Sequence, residues 1–110
     1  MAMNDDLNII DLIERDIMSF DSVSRFPDFG IADNIQRAIG RGIQHPSIKI
    51  SENDDGMTIN CDIIVYFGVN IPQLCYDIQT KVKKDIESTT GIDVKAVNIT
   101  VDGIDKRETN

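Results

Sequence analysis

The chain of 110 residues has no tryptophan, a single histidine, two cysteines and three leucines. Each scarcity excludes something. No apolar run is longer than Ile63 to Phe67, whereas a membrane-spanning helix needs about 20 apolar residues. Cys61 and Cys75 stand too far apart for a Cys-x-x-Cys pair. They suit neither a disulfide framework nor a zinc site, and are expected to be buried thiols in a reducing compartment. His45, in Gln44-His45-Pro46, has no nucleophile or metal-ligand partner at a recognisable spacing, so it is read as a loop or edge histidine. No phosphate-binding loop or dinucleotide fingerprint is present, and Gly40-Arg41-Gly42 is too short to be one. Basic residues are also few. Eleven face nineteen acids, for a net charge of −8, which disfavours a free nucleic-acid binder with a basic face.

What the chain does have is branched aliphatics, 19 isoleucines and 7 valines. They supply the apolar surface of a folded core and argue against disorder. The acidity is uneven: residues 1–34 carry eight acids and two bases, and residues 35–110 carry eleven and nine. The start, Met-Ala-Met-Asn-Asp-Asp, lacks the basic and apolar regions of a secretory signal, so the cytoplasm is the expected compartment.

Hydrophobic period places the elements. Ile9, Leu12, Ile13, Ile17 and Phe20 recur at helical spacing after the capping candidates Asn4 and Asp5. Asp21 to Phe29, with Pro27, breaks that pattern. A second short helix is expected from Ile31 through Ile35, Ala38 and Ile39, ended by Gly40 and Gly42. Ile48 and Ile50 then alternate with polar residues, Asn53-Asp54-Asp55-Gly56 signals a turn, and Met57 to Phe67 alternates again. Pairing Glu52 with Met57 puts Ile50 opposite Ile59 and Ile48 opposite Cys61. Turn and period therefore agree on one register.

Asn70 and Pro72 open the clearest helix, with Gln73 placed to complete a reciprocal cap. Its stripe is Ile71, Leu74, Cys75, Ile78, Val82 and Ile86, and Gly91 stops it. Asp77 and Lys81 are spaced for an ion pair on the polar face. A last strand carries Val97, Ile99 and Val101 on one face, while Val94 has the opposite parity. A bulge or strand start near Lys95–Ala96 reconciles them. The fold class expected is α+β, in the order α-α-β-β-α-β. A three-stranded mixed sheet has the second strand at its centre and the helices on one face.

The run Val65-Tyr66-Phe67-Gly68-Val69-Asn70-Ile71-Pro72 resembles the alkaline shock protein family of Gram-positive bacteria, small proteins associated with cell-envelope stress. Gln79-Thr80-Lys81-Val82-Lys83 in the helix, the Thr89-Thr90-Gly91 turn and the strand from Val94 to Ile104 extend the resemblance in order. Residues 57–104 match well. Ala32-Asp33-Asn34 and Gly40-Arg41-Gly42 look like the family's middle segment, and residues 1–30 match weakly. Phe67 stands where the family usually has Tyr, and Thr89 where it usually has Met. The chain thus divides into an acidic helical segment (1–30), an alkaline-shock-like α+β domain (31–104) and a polar tail (105–110).

The resemblance implies a cytoplasmic, non-enzymatic interaction protein without catalytic residues, cofactor or metal. It also implies self-association and a protein partner, which for some members is a membrane anchor that holds them at the membrane. The rival reading is a KH-like RNA- or ribosome-associated factor, suggested by the element order and by Lys81, Lys83 and Lys84. Asp77, Asp85 and Glu87 dilute that patch, and the Gly-x-x-Gly loop of such modules is missing. Ser51 to Asp62 mimics a calcium loop, but its flanks read as strands, so it is taken as a hairpin turn. Asn98-Ile99-Thr100 fits a glycosylation sequon in mid-strand and is discounted. Extending the hairpin register places His45 beside Ile64 and Ile43 beside Tyr66, an apolar corner on the sheet's polar face. Ile43, His45, Ile64 and Tyr66 are therefore the candidate interaction patch.

Overall fold

A computed structural model of the chain describes residues 5–27 and 45–108. Its elements run α1 (Asp5–Met18), β1 (Val23–Arg25), β2 (Ile48–Asn53), β3 (Gly56–Tyr66), α2 (Ile71–Thr90) and β4 (Val94–Asp105). The second helix expected between Ile31 and Ile39, and Ile43 of the candidate patch, lie outside the described residues.

β2 and β3 form the expected hairpin. Ile48 faces Cys61, Ile50 faces Ile59 and Glu52 faces Met57. The Asn53 side chain accepts the Asp55 N–H at 2.8 Å, closing the turn locally. On the core face Met57, Ile59, Cys61, Ile63 and Val65 are buried. On the other face Lys49, Ser51 and Asn60 are exposed, as expected of an antiparallel pair with one wet side.

Among the described residues the sheet has four strands, where three were expected. β3 pairs antiparallel with β1 and β2 and parallel with β4. The Asp62 and Tyr66 N–H groups bond to Ser47 and Ser22, while those of Met57 and Phe67 bond to Asp93 and Asp105. Since backbone groups alternate along a strand, β1 and β2 share one edge of β3 and β4 holds the other. β3 is thus central, as expected. The added strand, β1, is only three residues long and carries no alternation of its own. It forms because β2 stops at Ile48 and leaves the end of β3 unpaired, with Val23 facing Val65. The ladder to β4 shifts register between Met57 and Thr58, so that Lys95 is extra. That is the bulge which lets Val94 and Val97 both be buried.

α2 begins where its cap dictates. The Asn70 side chain accepts the Gln73 N–H at 3.1 Å, with proline in the first turn. The reciprocal half of the cap is absent, because the Gln73 amide donates to Asp77 at 2.8 Å. The i,i+4 ion pair on this helix is accordingly Lys83–Glu87 at 2.9 Å, not Asp77–Lys81. Leu74, Ile78, Val82 and Ile86 form its buried stripe and meet Ile9, Ile13 and Ile17 of α1 in one core with the sheet. Of the two thiols Cys61 is buried in that core, where burial and then Asp62 push its pKa up to about 12. Cys75 is only half-buried.

Of the three glycines with positive φ among the described residues, Gly56 and Gly91 hold it for different reasons. Gly91 (φ 77°) ends α2 in the left-handed region with open space around it. Gly56 (φ 126°) starts β3 where a Cβ would lie 2.8 Å from the Asp93 carbonyl oxygen, the acceptor of the Met57 N–H. Gly91→Ala should lower the unfolding free energy by about 1 kcal/mol. Gly56→Ala should lower it by about 3 kcal/mol, since strain is joined by loss of a β3–β4 hydrogen bond. Denaturant unfolding of the two variants checks this, and equal costs would contradict the clash.

Candidate functional site

Of the expected patch, Ile43 lies outside the described residues, Ile64 and Tyr66 stand two apart on β3, and His45 does not pair beside Ile64. His45 precedes β2 in a turn with Pro46 at its second position, closed by the Ile48 N–H on the His45 carbonyl at 3.3 Å. Its ring packs edge-on against Phe26, centroids 4.6 Å apart, and its Nδ1 accepts the Ser47 N–H at 3.1 Å. The turn bends the chain off the ladder, so Arg25 of β1 takes the position beside Ile64 that the extended register gives to His45. Ile64 is only 7% exposed although it faces away from the main core, and its side chain leans over Gly103 of β4. Tyr66 is half-buried, with the Arg107 guanidinium 4.1 Å from its ring centroid.

Polar side chains gather instead at the end of the sheet where β1, β3 and β4 finish. Asp105 accepts from the Ser24 hydroxyl at 2.6 Å and the Arg25 Nε at 3.0 Å, which together hold its carboxylate below its usual pKa. Arg107 donates to the Asp21 carbonyl at 3.0 Å. Ser24, Tyr66, Asp105, Lys106, Arg107 and Glu108 line an open cleft of about 550 Å³. Its two cations are balanced by two carboxylates, so charge alone selects neither an anion nor a cation. The chemistry here is fastening: residues 80 apart in sequence tie β1 to β4 across the end of β3.

A second polar centre lies between the helices. Asp16 is 4% exposed, and among the described residues no N–H or hydroxyl group donates to its Oδ2. Burial raises its pKa to about 7, reinforced by the hydrogen bond and charge of Asp85 on α2 and opposed by Lys81 and Arg15. Asp16 flanks the apolar stripe, one residue before Ile17, and Asp85 stands one before Ile86. Sequence reasoning passed over Asp16 and set Asp85 among the acids of the helix's lysine-bearing polar face. The only signal was an acid at the border of each stripe, which says nothing of the other helix.

The exposed large apolar side chains include Phe67 at 72%, Tyr76 at 63% and Ile104 at 56%. Phe67 and Ile104 adjoin, since the Phe67 N–H bonds to the Asp105 carbonyl at 2.8 Å. Among the described residues no His, Cys, Asp and Glu side chains cluster as metal ligands, and no helix is long and apolar enough to cross a membrane.

A family model described as the alkaline shock protein 23 family, cell envelope-related function, matches residues 12–106. Two Bacillus subtilis (strain 168) proteins, both called uncharacterized, are similar. YqhY is 27% identical over 73 residues, covering 66% of this chain and 54% of YqhY. YloU is 35% identical over 57 residues, covering 52% and 48%. The uncharacterized protein Spy1614 of Streptococcus pyogenes serotype M6 is 27% identical over 74 residues, covering 67% of this chain and 61% of Spy1614. The chain therefore spans about half the length of the first two relatives. No solved structure matches.

Asp105→Ala should free β1. The Tyr66 amide, bonded to Ser22, should exchange with solvent faster, while the Leu74 amide at the start of α2 keeps its protection. Hydrogen exchange reads both; unchanged Tyr66 protection would show that Asp105 does not fasten β1. Asp16→Asn tests the other centre. The carboxyl titrates near 3.8 when unfolded and about 7 when folded. The native protein should therefore lose stability relative to the variant as pH rises from about 4 to about 7, and run parallel to it above. Thermal midpoints across that range decide, and parallel curves throughout would refute the burial effect.

Proposed function

The chain belongs to the alkaline shock protein family, whose described role is cell envelope-related, and from that premise we propose a non-enzymatic interaction protein of the envelope stress response. It works through protein–protein contacts in the cytoplasm and reaches the membrane through a partner. The observation that carries this reading is the pair Phe67 and Ile104, 72% and 56% exposed and adjoining at one end of the sheet. Single exposed apolar residues are ordinary, but two on neighbouring strand ends have the composition of a contact surface. Tyr66, stacked beneath Arg107, is paired with Asp105 and faces the other side of the sheet. Ile64 is too buried to join it without opening.

The test is crosslinking and capture from the native cell, with membrane and ribosome fractions scored separately. The wild-type chain should recover protein partners in the membrane fraction. Phe67→Asp, at an exposed position, should fold normally and lose most of that capture. Recovery chiefly with ribosomes, through contacts that rising salt abolishes, would overturn the proposal in favour of RNA binding.

A further inference from the structure

Among the described residues β4 has β3 on one side only, and its outer edge is treated unequally along its length. At the start, side chains of α2 cap it. Glu87 accepts the Val94 N–H at 2.8 Å, and Lys83 donates to the Val94 carbonyl at 2.7 Å. Gln79 then donates to the Val97 carbonyl at 2.8 Å. Ile99 and Val101 lie two and four residues beyond Val97, so their N–H and C=O groups point to the same outer edge. Among the described residues nothing bonds to them there. As α2 runs back along β4, from Lys83 at Val94 to Gln79 at Val97, Tyr76 comes level with Ile99. Its 63% exposure leaves an apolar wall beside the open edge.

We propose that this open edge pairs antiparallel with the same edge of a second copy, about a two-fold axis at Thr100. A strand is the occupant because two residues of like orientation offer donors and acceptors at strand spacing. A second copy is favoured because the segment complements itself. Ile99 meets Val101 twice, giving four backbone hydrogen bonds, while Thr100 faces Thr100 and Asn98 faces Asp102. Charge selects the antiparallel sense. It carries the Lys95 end of one strand towards the Asp102 and Asp105 end of the other, where parallel pairing would stack like on like. Two bulges, at Lys95 and between Val101 and Gly103, bracket the open stretch. An isologous pair of that length closes at two copies rather than growing into a fibre. The product is one continuous sheet built from two four-stranded halves.

This rests on the reading of the chain as a protein-contact module and names one of its partners as itself. The full chain should sediment as a dimer. Val101→Pro removes an outward N–H and no bond to β3, so it should keep the circular dichroism of the parent and sediment as a monomer. Thr100 would be a non-hydrogen-bonded pair across the axis, close enough for a disulfide. In a Cys75→Ser background Thr100→Cys should crosslink to a dimer on mild oxidation, and Asn98→Cys should not. The proposal is overturned by a monomeric parent, by a dimer that survives Val101→Pro, or by equal crosslinking at positions 98 and 100. A monomeric parent that still captures membrane-fraction proteins sinks self-pairing alone. A dimer that captures nothing keeps the pairing and sinks the wider reading.

Discussion

Among the described residues every other strand of the sheet is hydrogen bonded to β3, and this constraint organises the rest. A strand has two edges and two faces. One edge of β3 is divided between β2 along its first half and β1 at its end, and the other is filled by β4 along almost its whole length. Its core face carries five buried side chains from Met57 to Val65. The opposite face must stay polar where water meets it, and does so until Ile64. Because the side-chain period is two, a slip of one residue would invert every position at once. The Asn53–Gly56 turn and the Gly56 approach to Asp93 together exclude that slip, the first against β2 and the second against β4.

What α2 does follows from this. The parallel arrangement of β3 and β4 requires a crossover, and the helix provides it. Having crossed, it presents Gln79, Lys83 and Glu87 to the backbone of β4. The Glu87 carboxylate is held below its usual pKa first by the Val94 N–H and then by Lys83. One side chain thus joins a helical ion pair to an edge cap. The inner flank of the same helix brings Asp85 against Asp16, where two carboxyls share a site that admits little water. Helix α1 is therefore held by apolar packing along Ile9, Ile13 and Ile17 and opposed, once Asp16 ionises, by the charge at its end.

Features whose cause is local were legible in the amino-acid sequence. The hairpin register could be read because a turn signal and a two-residue period reinforced each other between Ile48 and Phe67. Helix α2 could be read because Asn70, a 3.6-residue stripe and Gly91 mark its start, face and stop. Even the bulge at Lys95 was visible, as a conflict of parity between Val94 and Val97. β1 was hidden because Val23-Ser24-Arg25 is a strand only by virtue of the free edge beside Val65 and of Asp105. The His45–Ile64 pairing failed for a related reason. Extending the register assumed a straight β2, whereas Pro46 suits a turn and the chain takes one. Asp16 was hidden because its cost comes first from burial between the helices and then from Asp85, and no local pattern shows either.

The capping of β4 bears on why an edge of this kind survives. Exposed edges invite unwanted pairing, and proteins blunt them with charge, bulges or cover. Here all three devices are present, but they are grouped. Cover from Gln79, Lys83 and Glu87 protects the stretch from Val94 to Val97, a charged residue stands at each bulge, and among the described residues nothing covers the interval around Thr100. If exclusion of partners were the whole purpose, one more polar side chain in place of Tyr76 would extend the cover by a turn. Instead α2 presents an aromatic ring at that level. An edge that is blunted at both ends and open in the middle restricts pairing to one short register, which is a specification of a partner rather than a defence against all of them.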